Sequence, residues 1–110
     1  MFGKITIGKA DTEMVANAAT PYWFNQIFKE DFIVKSQEIQ DGNDGLAVDL
    51  FSKAGFIMAK QAEKADMRKL NEDSFIEWLS EFEPMDMALA AADIAQLYTG
   101  QTKGTAKAKN

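Results

Sequence analysis

The side chains best able to carry chemistry in this chain are carboxylates, and they stand in a few arrangements that can be weighed one by one. Asp41-Gly42-Asn43-Asp44-Gly45 sets an aspartate and an asparagine at the first and third places of an EF-hand calcium loop. The register then fails. Gly45 stands where a ligand is needed, Leu46 replaces the required glycine, and Ser52 replaces the bidentate glutamate. A solvated loop with no metal is the expected reading. Asp73 with Glu77, or Glu81 with Glu83, can be considered as acid and base. Such a pair needs burial to shift a pKa, and these positions fall on the polar face of an amphipathic helix. Lys103, Lys107 and Lys109 could meet phosphate, but three charges on a flexible tail give weak, salt-sensitive contact. With 12 basic against 17 acidic residues, and a net charge of −5, the global field repels nucleic acid.

What is missing narrows the chemistry further. There is no cysteine, hence no disulfide, no thiolate and no ordinary structural zinc site. There is no histidine, the usual acid or base near neutral pH and the usual ligand for transition metals. A non-enzymatic protein without a cofactor is the expectation, in a reducing cytoplasm. Apolar runs are only a few residues long, and Met1-Phe2-Gly3-Lys4 opens no apolar segment, so neither a membrane span nor a secretory signal is expected.

The elements that must position these residues follow from periodicity. At 110 residues, 46% of them hydrophobic, the chain suits one packed core. The expected fold is mostly α: a small helical domain over 1–100 with a short N-terminal β-hairpin packed on it, and a flexible basic tail over 101–110. Ile5 and Ile7 flank Thr6, a turn signal follows at Gly8-Lys9-Ala10-Asp11, and Thr12 to Ala16 reads as the return strand. Thr20-Pro21 is a hydroxyl cap with proline at the first helical position, predicting a helix to about Lys29. A second helix is predicted over Asp31 to Ile39, then a loop at 40–45. From Leu46 to about Lys64, Ala47, Leu50, Phe51, Ala54, Met58 and Ala62 recur at helical spacing. Gly55 in their midst costs about 1 kcal/mol against alanine, which marks a close helix crossing. Asn71 or Asp73 caps a helix whose Phe75, Trp78, Leu79 and Phe82 keep the i, i+3, i+4, i+7 pattern.

The last helix opens at Pro84 and closes at Gly100. Met87, Ile94, Leu97 and Tyr98 gather on one side of it, Met85 and Leu89 on another, and the alanines make a third strip. A helix apolar almost all round must be covered, by its own fold or by a partner. Met87, Ile94, Leu97 and Tyr98, with Met58 as an outlier, are the candidate protein-binding residues, because methionine surfaces accept helices of imperfect fit. Ordinary core packing is the competing reading of the same residues.

Four blocks can be read in order. They are Asn17-Ala18-Ala19-Thr20-Pro21 with Gln26-Ile27-Phe28; Phe56-Ile57-Met58-Ala59-Lys60-Gln61-Ala62; Phe75-Ile76-Glu77-Trp78-Leu79 with Phe82-Glu83-Pro84-Met85-Asp86; and Leu97-Tyr98-Thr99-Gly100. In this order the chain resembles the tail assembly chaperones of long-tailed phages and prophages of Gram-positive bacteria. The resemblance covers roughly 5–100 and implies a helical chaperone that binds the tape measure protein in the host cytoplasm and is missing from the finished virion. It also implies a longer form, made by programmed frameshifting, whose added C-terminal segment recruits the major tail protein. Ala108-Lys109-Asn110 can be encoded GCA AAA AAC, which contains the slippery heptamer A AAA AAC. No binding residue of the family is carried over. The alternative reading is a structural tail completion or connector protein retained in the particle, and self-association through the last helix is open.

Overall fold

Short β-branched alternation followed by five stretches of helical periodicity folds here, among the described residues, as two strands and five α-helices. The computed structural model describes residues 2–40 and 44–100. In chain order these are β1 (Phe2–Ile7), β2 (Ala10–Val15), α1 (Ala19–Phe28), α2 (Phe32–Gln40), α3 (Asp44–Ala62), a single 3-10 turn (Met67–Lys69), α4 (Glu72–Leu79) and α5 (Pro84–Thr99). The mostly α fold with an N-terminal hairpin is as the sequence predicts. The expected tail at 101–110, and Asp41, Gly42 and Asn43 of the expected loop, lie outside the described residues. From Asp44 onward the stretch compared with a calcium loop is helix, and Ser52 donates its hydroxyl to the Val48 carbonyl at 2.6 Å. Among the described residues, no helix is long and apolar enough to cross a membrane.

The strands pair antiparallel, with Gly3 opposite Met14, Ile5 opposite Thr12 and Ile7 opposite Ala10. Residues directly opposite share a face. Ile5, Ile7 and Met14 are therefore buried together, while Thr6 donates its hydroxyl to Asp11 across the outer face at 2.8 Å. An isolated hairpin is marginal in water. This one is covered on its inner face, β1 against α5 and β2 against α3. Its two-residue turn puts Gly8 at φ +65, where an L side chain is strained. A Cβ there would also come within 2.5 Å of the Asp86 carboxylate at the start of α5.

Two local details differ from expectation. Thr20 lies inside α1 and not at its cap. Asn17 takes the capping part: its side-chain oxygen accepts the Ala19 N–H at 2.9 Å, and its own N–H donates to the Thr20 hydroxyl at 3.1 Å. The hydroxyl itself is drawn to α3, donating to Gln61 Oε1 at 2.7 Å, while Gln61 Nε2 donates back to Asn17 at 3.1 Å. The turn at Met67–Lys69 was not expected. Its signal is Asp66, whose side chain accepts the Arg68 N–H at 3.2 Å. Asn71 does cap α4, in a reciprocal box with Ser74.

The crossing predicted at Gly55 is present. A Cβ there would stand 2.8 Å from Ile94 Cδ1 of α5 and 3.5 Å from Met14 Cε of β2, so the missing side chain lets α3, α5 and the hairpin meet. Around this point the buried apolar side chains form one cluster. Aromatic rings carry it through every helix. Tyr98 of α5 meets Phe32 of α2 at 4.6 Å, Phe32 meets Phe24 of α1 at 5.0 Å, and Phe24 meets Phe28 at 5.2 Å. Phe28 and Phe75 of α4 lie 5.2 Å apart, with Phe56 of α3 5.6 Å from Phe75 and 5.7 Å from Trp78.

Candidate protein interface

The five side chains selected from sequence belong to α3 and α5, and the fold turns them inward. Pro84 at the first position and Asp86 in the first turn start α5, and Gly100, left-handed at φ 74, ends it. Between those ends, Ile94 is 0% exposed because Gly55 receives it, and Leu97 is buried with Gly3 of β1 over its methyl groups. Met87 is buried, and Met58 on α3 is 0% exposed. Tyr98 is half-buried against the Phe32 ring, and burial pushes its phenol above the ordinary value of 10.0. Of the proposed partner surface, Met58, Met87, Ile94 and Leu97 are thus corrected to core, and Tyr98 is partly buried against it. The helical wheel groups α5 residues properly, but the hairpin and α3 cover the side that sequence had left for a partner.

The opposite side of α5 faces solvent. At 100° per residue Met85, Leu89, Ala92 and Gln96 fall within an arc of about 60°. Met85 is 68% exposed and Leu89 70%. This stripe is narrow, and beyond Leu89 it carries only the small side chain of Ala92 and the polar Gln96.

A second apolar feature was not legible in sequence. Val48, Asp49 and Ser52 of α3, Phe75 and Leu79 of α4, and Phe82, Glu83, Pro84 and Met87 at the start of α5 enclose a groove of about 480 Å³. Val48 is exposed, Leu79 and Phe82 are partly buried, and Phe75 and Met87 are buried. The volume and the lining are those of a site that takes apolar groups.

Beside the groove lies the one buried cation of α3. Lys53 Nζ is 3.2 Å from Glu30 and 3.4 Å from Asp49, and stands 5.3 Å from the centre of the Phe28 ring. Burial acts to lower its pKa, but the hydrogen bond to Glu30 and the charges of Asp49 and Glu30 outweigh it, holding the ammonium above the ordinary 10.5. The i, i+4 pair with Asp49 is a signal that sequence carries; the pairing with Glu30 is not. Both Lys53 and Tyr98 bind their protons more firmly when folded. Their contribution to stability is complete below the ordinary values and is lost as pH rises through the higher folded values. Urea unfolding should therefore show stability falling as pH rises past about 10, and Lys53→Met should reduce that fall.

The carboxylates weighed above as acid and base are spread on the surface. Asp73, Glu77, Glu81 and Glu83 are all exposed. Among the described residues no three His, Cys, Asp or Glu side chains are grouped to hold a metal ion.

Fold and surface together define a small, mostly helical domain with a packed hairpin, an exposed apolar stripe on its last helix and an apolar groove at the other side of that helix's start. No protein-family model, curated protein or solved structure matches the chain.

Proposed function

We propose that this chain is a tail assembly chaperone that binds the tape measure protein in the host bacterial cytoplasm during tail morphogenesis. The observation that carries the reading is the ordered set of four sequence blocks at 17–28, 56–62, 75–86 and 97–100. Its physical companion is the surface: the groove leaves Val48, Leu79 and Phe82 in contact with water that a helical partner would displace. The first two blocks also meet in space, since Asn17 and Thr20 from the first are hydrogen-bonded to Gln61 from the second. In this reading the major tail protein is reached through a frameshift-extended form that continues beyond Asn110.

Co-expression of the full chain with the product of the large downstream gene tests the proposal. A complex should purify that keeps the long helical partner in solution, and mass spectrometry of purified virions should find no copy of this chain. A folded chain that leaves the partner insoluble, together with peptides of it in the virion, would instead assign it to the tail structure as a completion or connector protein.

A further inference from the structure

We infer that the groove between α3, α4 and the start of α5 receives an amphipathic helix that carries Lys or Arg beside its apolar stripe; this rests on the chaperone reading above and names the chemistry of the partner segment. The groove asks first for carbon. Ser52 spends its hydroxyl on the Val48 carbonyl, and Asp49 is engaged by Lys53. That leaves Glu83 as the one lining side chain whose polar group has no partner among the described residues. A small polar ligand is held by several convergent donors and acceptors, and one exposed carboxylate does not provide them. Large apolar side chains at i, i+3 or i+4 spacing fit a trough with Phe75 and Met87 beneath and Val48, Leu79 and Phe82 along its sides.

The charge of the occupant follows from the surroundings. The nearby cation, Lys53, is held between two carboxylates. Glu83, which lines the groove, makes no ion pair within the described residues. Without the three lysines of the tail, residues 1–100 hold nine basic against 17 acidic side chains. A second copy would bring the same negative field to the same place. The chain's own tail has lysines of the right sign, but its Thr, Ala and Gly side chains supply nothing large enough to fill the groove. A separate, basic amphipathic helix satisfies both the carbon and the charge.

The test uses the full chain co-expressed with the tape measure protein. Val48→Glu should weaken the complex about tenfold or more, by placing a carboxylate in the apolar contact. Glu83→Lys should weaken it less and make it less sensitive to salt, and Leu89→Glu, outside the groove, should bind like the wild type. Circular dichroism of each variant checks folding, and Glu83→Lys, at an exposed position, serves if Val48→Glu does not fold. Wild-type affinity in both groove variants overturns the groove while leaving the chaperone reading intact. Loss in Leu89→Glu alone moves the contact to the outer stripe of α5 and overturns it too. A wild-type homodimer broken by Val48→Glu would give the groove to a second copy. Absence of any wild-type complex removes both proposals.

Discussion

Ile94→Asp is expected to leave the chain unfolded at neutral pH, and Met87→Asp together with Ile94→Asp still more so. Ile94 has no exposed surface, and its Cδ1 fills the place that Gly55 vacates between α3 and the hairpin. An aspartate there is either ionised in an apolar interior, at a cost of several kcal/mol, or neutral with an unmet hydrogen bond. The isoleucine's own burial is lost in addition, about 2 to 5 kcal/mol for a large core side chain removed. A domain of this size is stable by about 5–15 kcal/mol in all. Far-UV circular dichroism and urea titration read the outcome directly. A folded Ile94→Asp that fails to bind its partner would return the inner face of α5 to the binding surface, contrary to the packing described above.

The second large effect belongs to the aromatic network. Phe56→Ala should cost about 3–5 kcal/mol, because the ring is fully buried and touches rings from two other helices. Phe28, Phe75 and Trp78 would border the space it leaves, and rigid rings cannot close in as flexible aliphatic chains do. The urea midpoint should drop with little change in slope. A loss below about 1 kcal/mol would mean that α3 shifts to refill the gap, and that the network is less constrained than its ring contacts indicate.

Much of the architecture is legible because its signals are local. Pro84 and Gly100 bound α5, Asn71 starts α4, the β-branched alternation marks β1, and Gly55 points to a crossing that the structure contains. Thr20 shows where local reasoning stops: a hydroxyl next to proline signals a cap, yet Gln61, 41 positions away, captures it. The interface was misread for the same reason. Periodicity sorts α5 into Met87-Ile94-Leu97 on one side and Met85-Leu89 on another, but both strips are apolar. Only the placement of Gly3, Met14 and Gly55 decides which is covered. The groove has no local signature at all, since its lining comes from three helices, each contributing residues that taken alone read as ordinary core.

The packing of β1 on α5 sets an order of events during synthesis. Gly3 rests on Leu97 and Gly8 on Asp86, so the first strand has its seat only after the last helix exists. Between the end of β1 at Ile7 and the start of α5 at Pro84 the ribosome adds 77 residues, which takes roughly 4–15 s at ordinary bacterial and eukaryotic rates. For that interval Ile5 and Ile7 are without the helix that shelters them. Completion of the fold therefore follows emergence of the C-terminal helix, and a nascent chain stalled before residue 84 should display a sticky, protease-sensitive N-terminal segment.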